Sequence, residues 1–247
     1  MVNTFLISPS FEYSLRALDW RRLGKQRVEA LQIYNILRRS HYIAKFLHLE
    51  PMPSLKDFPG SDGDFLREQW LSKVYSTYKQ SGIILYEQEV SDGFIYSLCQ
   101  LEGTSSPEGS SKPISSGFSS HTASSMWIGY EQALKYYINL SICEWTRRGY
   151  KNTIKMYIVF EDDIVYPWWA SSIAFHKSNI SALLRKEIVR KEPRWYQNFL
   201  NVEQEWLEKG YLWPSHLSPE QRKEVILHPS AKFCDPIQKD FLENLLA

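Results

Sequence analysis

Cysteine, long apolar runs and net charge are all scarce in this chain of 247 residues. Its three cysteines, Cys99, Cys143 and Cys234, are widely spaced and form no CxxC pair. This spacing argues against a disulfide framework or a zinc site and is typical of reduced thiols in an intracellular protein. No apolar run approaches the roughly 18 residues that cross a bilayer, and the N-terminus lacks the apolar core of a signal peptide. We therefore expect a soluble, intracellular protein without a membrane segment.

The net charge of +1 excludes a polycation that binds nucleic acid with its whole surface. Any contact with nucleic acid must come from a local basic patch. Hydrophobic residues make up 43% of the chain, and the length is sufficient for one large domain or two small ones with a substantial core. The aromatic content is high, at 15%. Aromatic rings build cores, but they also provide flat faces on which bases stack.

The most informative stretch runs from Asp19 to Leu31 and predicts one long helix that continues to about Arg39. Apolar residues recur on one side at helical spacing: Leu23, Ala30, Leu31, Tyr34 and Leu37. We expect a polar row on the opposite side, because its members follow steps of three, four and three: Asp19, Arg22, Gln26 and Glu29. Further cations flank this row: Arg16, Arg21, Lys25 and Arg27. A solvated helix face with local ion pairs is the alternative interpretation.

Segments on either side of this helix differ in character. Residues 1–9 are apolar and should pack onto the body of the protein, and Ser10 is suited to cap a first helical turn. Residues 40–125 look like an insertion, with a helix over 64–80 and apolar runs in 82–101 that are compatible with strands or helix. Within it, residues 103–125 are rich in serine and glycine and poor in apolar side chains. That composition predicts a flexible, partly disordered loop.

Two later helices are also predicted. The first, Met126 to Arg148, carries an aromatic stripe typical of a core, and Gly149 is suited to end it. The second runs from about Ser172 to Lys191. Its predicted exposed side carries cations: Lys177, Arg185, Lys186, Arg190 and Lys191.

Aromatic residues that look exposed follow this basic helix: Trp195 and Tyr196, then Tyr211 and Trp213. This order favours a DNA contact in which cations hold phosphates and rings meet bases. His176 on the same helix is more typical of a packing or hydrogen-bonding residue. The acidic run Glu161-Asp162-Asp163 can hold Mg²⁺, although a solvated turn is the usual role of such a run.

Three stretches occur in a recognisable order. The first joins Asn3-Thr4-Phe5-Leu6 to Leu18–Gln32 and contains Arg22-Leu23-Gly24-Lys25-Gln26-Arg27. The second runs from Met126-Trp127 to Arg148-Gly149-Tyr150. The third comprises Pro167-Trp168, Phe175-His176, Leu183–Lys186 and Pro193–Tyr196. Together they resemble the pyrimidine-dimer DNA glycosylases of the bacteriophage endonuclease V type, and most specifically a bacterial and viral branch of that family. The resemblance covers about half of the chain.

This resemblance implies a compact, mainly helical protein that binds duplex DNA, extrudes a nucleotide and cuts its glycosidic bond without a metal or cofactor. The phage enzymes then nick the strand through a Schiff base on the N-terminal α-amine, which here belongs to Val2 once Met1 is removed. An α-amine with a pKa of roughly 7.7–8.0 is partly unprotonated near neutrality. The phage enzymes also have a catalytic Glu directly after an Arg, where this chain has Arg21-Arg22. Asp19 and Glu29, the nearest carboxylates, are therefore our candidates for the chemical step.

We predict a single mainly α-helical domain over residues 1–247 that acts as a monomeric DNA N-glycosylase, and the sequence leaves the lyase step open. Arg22 and Gln26 are expected to position the DNA backbone or fill the gap left by a flipped base. Phosphate contacts are expected from Arg21, Lys25, Lys177, Arg185 and Lys186. Further DNA contacts are expected from Arg27, His121, His176, Trp195 and Tyr196.

Two other functions stay open at this stage. One is a non-catalytic nucleic-acid-binding or structural protein with the same fold. The other is a metal-dependent nuclease that uses Glu161, Asp162 and Asp163.

Overall fold

The structure, a computed structural model, describes residues 4–90, 93–99, 112–114, 121–190, 202–228 and 230–234. Within these ranges the protein is mainly helical, as predicted. The helices are α1 (Phe11–Ala17), α2 (Trp20–Phe46), α3 (Gly60–Ser81), α4 (Thr122–Ser125), α5 (Glu131–Arg147), α6 (Ile173–Arg190), α7 (Gln204–Leu207) and α8 (Pro219–Leu227). The strands are β1 (Ile84–Val90), β2 (Gly93–Cys99) and β3 (Lys112–Pro113). None of the described helices is long and apolar enough to span a membrane.

Helix α2 passes through the core and packs mainly against α5 and α3. It begins after Asp19, whose side chain accepts hydrogen bonds from the backbone N–H groups of Arg21 and Arg22. Such a cap satisfies donors that the first helical turn leaves without an intrahelical partner. The helix extends to Phe46, beyond the predicted end near Arg39. Leu23, Ala30 and Leu37 are buried on its inner side, as their spacing predicted.

The prediction that the polar row lies opposite this apolar side is wrong. Arg22 and Gln26 are only 6% and 1% exposed. Gln26 lies three residues after Leu23 and four before Ala30, and residues three or four apart share one face of a helix. The polar row therefore adjoins the apolar stripe. The residues that face outward are Arg21, Lys25, Val28 and Gln32.

Much of the predicted insertion is folded. Helix α3 covers the predicted helix, and the ambiguous apolar runs form an antiparallel hairpin of β1 and β2. Glu87 of β1 fixes this hairpin to α2, because its carboxylate accepts hydrogen bonds from Arg38 at 2.9 Å and from Arg39 at 2.8 and 3.0 Å. Charge-assisted pairs of this kind are among the stronger hydrogen bonds in proteins.

The prediction of a disordered loop over 103–125 is wrong for the two parts of it that the structure describes, because both are ordered. Strand β3 pairs with β1, and the N–H of the buried Ile114 donates to the Leu85 carbonyl at 2.7 Å. Residues 122–125 form α4. The burial of Ile114 and the added strand offset the entropy cost of ordering these residues. The rest of this loop lies outside the described residues.

Helix α5 starts at Glu131, five residues after its predicted start at Met126. Gly129 has φ +88°, and this left-handed conformation interrupts the helical backbone before α5 begins. Arg67 also packs closely there, with Cδ 2.7 Å from where a Cβ on Gly129 would lie. The aromatic stripe is core, as predicted, because Trp127, Tyr130 and Tyr137 are buried. Gly149, at φ +85°, follows the end of the helix as expected.

Candidate functional site

A chain of hydrogen bonds joins Glu29 to the buried core. The Gln26 Oε1 atom accepts from the Phe5 backbone N–H at 2.8 Å and from the Tyr137 hydroxyl at 2.8 Å. The Gln26 Nε2 atom donates to Glu29 Oε2 at 3.3 Å. Burial raises the pKa of Tyr137 well above its usual value, and the nearby Glu29 charge raises it further. Tyr137 therefore stays protonated and remains a donor to Gln26.

Glu29 lies where this buried chain meets the outer side of α2. An open cleft of 470 Å³ runs along that side, and Glu29 is one of its lining residues. The other lining residues are Trp20, Arg21, Gly24, Lys25, Arg27, Val28, Gln32 and Trp145. The cleft thus combines cations, an exposed Trp20 and one half-buried carboxylate. Such a surface is suited to a polyanion that also has flat apolar groups.

Asp19, the other candidate carboxylate, has a structural role at the start of α2. Its Oδ1 atom accepts from the N–H groups of Arg21 and Arg22 at 2.9 and 3.0 Å. Its Oδ2 atom accepts from the Arg22 guanidinium at 2.6 Å, and both side chains are buried. Asp19 does not line the cleft. The structure thus separates the two candidates, with Asp19 at the cap and Glu29 at the cleft.

Stacked side chains form one wall of the cleft. The Arg27 guanidinium lies 4.4 Å from the ring centroid of Trp145, and the Tyr150 ring stacks on Trp145 at 4.2 Å. Arg27 also donates to the Asn152 side chain. Gly24 permits this arrangement, because a Cβ at that position would approach the Trp145 ring to 3.0 Å. Arg27 is therefore buried in a stack and fixes α2 to α5, whereas Lys25 faces solvent.

A second cluster surrounds the side chain of Phe5. The Lys186 Nζ atom lies 4.5 Å from the Phe5 ring centroid and donates to the Tyr211 hydroxyl at 2.9 Å. Trp213 packs on Tyr211 at 5.3 Å, and His121 meets Trp213 edge-on at 6.0 Å. Phe5 thus belongs to both clusters, through its N–H to Gln26 and through its ring to Lys186. The prediction that Tyr211 and Trp213 are exposed is wrong, because both are buried.

The two predicted histidines have backbone partners. His121 caps α4 by accepting from the Ala123 N–H at 3.1 Å, and burial lowers its pKa. His176 is buried, with its ring nitrogens 3.0 Å from the Leu6 carbonyl and 2.9 Å from the Ala170 carbonyl. Burial lowers the pKa of His176, although both carbonyl contacts oppose that change. His176 thereby holds the N-terminal segment against α6.

Helix α6 does not present all its predicted cations to solvent. The prediction of an exposed Arg185 is wrong, because its side chain is buried and donates to the Trp206 and Leu207 carbonyls at 2.9 and 3.2 Å. Burial lowers the pKa of Arg185. Lys177 pairs with Glu203 at 2.7 Å. The acidic run Glu161–Asp163 forms an exposed 3₁₀ turn, and no group of three metal-ligating side chains occurs among the described residues.

Three predicted site residues, Val2, Trp195 and Tyr196, lie outside the described ranges. Tyr137 is the site residue that the sequence did not reveal, because its position in an aromatic stripe indicated a core side chain. The sequence signalled the contact between Tyr137 and Gln26 only in that both residues lie on helices predicted to carry an apolar stripe. Their hydrogen bond joins positions 111 residues apart.

Comparison with known protein families matches residues 2–158 to the family described as pyrimidine dimer DNA glycosylase. No curated protein and no solved structure matches the chain. The matched part covers more than half of the sequence and includes Gln26, Glu29 and Tyr137. The chain therefore belongs to the pyrimidine dimer DNA glycosylase family, and its general function is that of a DNA glycosylase.

Proposed function

We propose that this protein removes a damaged or modified base from duplex DNA and that Glu29 supplies the catalytic carboxylate. The observation that carries this assignment is the position of Glu29, held by the buried Gln26 amide and open to a cationic cleft. Asp19 is a weaker candidate, because its two oxygens already cap α2 and pair with Arg22.

The proposed role of Glu29 follows from the chemistry of glycosidic bonds. As the bond from C1′ to the base nitrogen breaks, the sugar gains oxocarbenium character and the base gains negative charge. A carboxylate near C1′ stabilises the developing positive charge or accepts a proton from an attacking water. The Gln26 Nε2–H donates to Glu29 and holds the carboxylate that both roles use.

DNA contact is proposed for the outer side of α2. Arg21 and Lys25 line the cleft beside Glu29, and both are exposed. Their charges would hold phosphates that flank the damaged nucleotide, and Trp20 would meet a sugar or base. Lys186 is proposed to contact a phosphate from the opposite side of Phe5, because it is only partly buried.

A lyase step through the α-amine of Val2 is the second part of the proposal. The amine nitrogen would attack C1′ of the abasic aldehyde and lose water to form an imine. Removal of a C2′ proton would then break the C3′–O bond, and the 3′ phosphate would leave with that electron pair. Val2 precedes Thr4 by two residues, which span at most roughly 7 Å. Thr4 itself is buried and accepts a hydrogen bond from Trp127, so this point of the chain is anchored beside Phe5.

A matched pair of isosteric variants tests the carboxylate. Glu29→Gln should lower single-turnover base release by roughly 10²–10⁴-fold, the range expected for loss of a general acid–base group, with unchanged DNA affinity. Asp19→Asn should release base at nearly the wild-type rate, because Asn also caps helices well. The substrates are a panel of duplexes that begins with one carrying a pyrimidine dimer. Full activity in Glu29→Gln would refute the assignment.

Borohydride trapping tests the lyase step separately. With the wild-type protein and damaged duplex, reduction of the imine should give a covalent protein–DNA adduct. A variant with one alanine inserted between Met1 and Val2 should lose the adduct. Base release without any adduct in the wild-type protein would remove the lyase step and leave a water-dependent glycosylase.

The same assay in EDTA distinguishes the other functions. Base release without added metal supports the glycosylase. Duplex binding without release on every duplex of the panel would indicate a binding protein that retains the fold. Strand cutting that needs Mg²⁺ would point to Glu161–Asp163 instead.

A further inference from the structure

We infer that Tyr137 is a positioning residue for base release, acting on Glu29 through the side-chain amide of Gln26. The inference rests on the proposed role of Glu29. It assigns a function to a side chain whose sequence context indicates only packing.

The argument starts from the two ends of the Gln26 amide. A carboxamide has one acceptor end and one donor end, and rotation by 180° about its last bond exchanges them. In this structure the Oε1 atom receives two donors, the Phe5 N–H and the Tyr137 hydroxyl, both at 2.8 Å. The Phe5 N–H has no lone pair, so it cannot accept from the NH₂ group that a rotated amide would turn toward it. The Tyr137 hydroxyl can donate or accept, and its hydrogen bond to Oε1 fixes where the amide lies. The Phe5 N–H therefore directs the donor end of the amide toward Glu29, and the Tyr137 hydroxyl holds the amide in place.

Burial gives this preference its strength. Gln26 is 1% exposed and Tyr137 is fully buried, so water cannot compensate a rotated amide. A rotated Gln26 would leave the buried Phe5 N–H without its acceptor, and a buried donor without a partner is costly. It would also turn Oε1 toward the Glu29 carboxylate, where two negatively polarised oxygens repel. The wild-type arrangement thus presents an N–H to Glu29 nearly all the time.

Removal of the Tyr137 hydroxyl would weaken this control. In Tyr137→Phe the Phe5 N–H remains as the only one of the two donors at Oε1. Gln26 loses the hydrogen bond from Tyr137, so its amide and the Glu29 carboxylate that it contacts gain freedom to move. Glu29 would then spend less time in the orientation that the reaction needs. Because α2's outer cations are untouched, DNA affinity should stay unchanged.

Tyr75 provides a matched control. Its hydroxyl is also buried and donates at 2.8 Å, but the acceptor is the Ile36 carbonyl, which has no link to Glu29. Tyr75→Phe and Tyr137→Phe each remove one buried hydroxyl from a tyrosine and should lower the melting temperature by similar amounts. Melting curves come first and show that both variants are folded.

The deciding experiment is single-turnover base release together with duplex affinity, on the damaged duplex that the wild-type protein processes. Tyr137→Phe should release base at least about tenfold more slowly with unchanged affinity, and Tyr75→Phe should match the wild-type rate. In a Glu29→Gln background, Tyr137→Phe should slow release no further, because the residue that it positions is already disabled. Equal rates for the two tyrosine variants, or independent effects of Tyr137→Phe and Glu29→Gln, would overturn the inference.

A second measurement covers the case in which Tyr137→Phe does not fold. In wild-type protein labelled with ¹⁵N-glutamine, the Gln26 side-chain amide protons should shift when Glu29 is changed to Gln. Unshifted protons would overturn the inference, because they would show that the amide does not face Glu29. Failure of the proposed function looks different: Glu29→Gln would then release base at the full rate, whatever Tyr137→Phe does.

Discussion

Inner and outer sides of α2 carry polar residues in different surroundings. On the inner side, Asp19, Arg22 and Gln26 are buried and each is held by specific hydrogen bonds. On the outer side, Arg21, Lys25 and Gln32 face solvent along the cleft. Buried polar groups are costly to disturb, whereas exposed charges are screened by water and salt. The inner side should therefore determine stability and catalytic geometry, and the outer side should determine DNA affinity.

Asp19→Ala should give the largest loss of stability. The change removes the cap of α2 and leaves the buried Arg22 cation without its carboxylate, which together should cost roughly 3–5 kcal/mol. Urea unfolding measures this free energy. Asp62→Ala, at an exposed carboxylate of α3, is the control and should cost under about 0.5 kcal/mol. An Asp19→Ala, Arg22→Met double variant should recover part of the loss, and an equal or larger loss would contradict the burial argument.

Gln26→Ala should give the second largest loss of stability. Without the carboxamide, the Phe5 N–H and the Tyr137 hydroxyl lose a shared acceptor, which should cost roughly 2–4 kcal/mol. Gln32→Ala, two turns away on the outer side, should change the unfolding free energy by less than about 0.5 kcal/mol. The same denaturation midpoint for both variants would show that the two sides do not differ.

The buried carboxylate of Glu68, on α3, tests whether burial of a charged group also affects stability away from α2. Burial raises the pKa of Glu68 to about 7, although its partner Arg222 opposes the rise. A folded-state pKa above the ordinary 4.5 means that the folded protein binds the proton more tightly. The tighter proton binding by Glu68 stabilises the folded protein fully below about pH 4.5, and this stabilisation is lost as the pH rises through about 7.

Between pH 5 and pH 8, wild-type stability should therefore fall relative to Glu68→Gln by on the order of 2 kcal/mol. Thermal melting of both proteins across this range measures the difference. A difference that is constant with pH, or that grows in favour of the wild-type protein, would show that the ion pair with Arg222 dominates instead.

Lys25→Gln should have the smallest effect on the protein itself. Its melting temperature should be unchanged, whereas the slope of log affinity against log salt for duplex DNA should become shallower by about 0.9, the value for one lost phosphate contact. Lys73→Gln, which removes an exposed cation of α3, should leave the slope unchanged. Equal slopes for the two variants would move the DNA contact away from the outer side of α2.

Local sequence rules predicted the parts of the fold that depend on neighbouring residues. The Ser10 cap, the apolar stripe of α2 and the left-handed Gly149 follow from residues within one or two turns. The burial of Gln26 does not, because it depends on Phe5 and Tyr137, which are 21 and 111 residues away. Sequence spacing placed Glu29 and Gln26 in one row, but only packing against α5 and the N-terminal segment turned that row inward.

The residues that follow the family match complete the fold of the matched part. The Trp169 indole donates to the Met126 carbonyl at 3.1 Å, and His176 lies 3.0 Å from the Leu6 carbonyl. Arg222 donates to the Ser61 carbonyl at 3.0 Å and to Glu68 at 2.6 Å. A polypeptide ending at residue 158 would expose the apolar surfaces around these contacts and should aggregate when expressed alone. Co-expression with a second polypeptide of residues 159–247 should restore solubility, because that polypeptide carries the side chains that make these contacts.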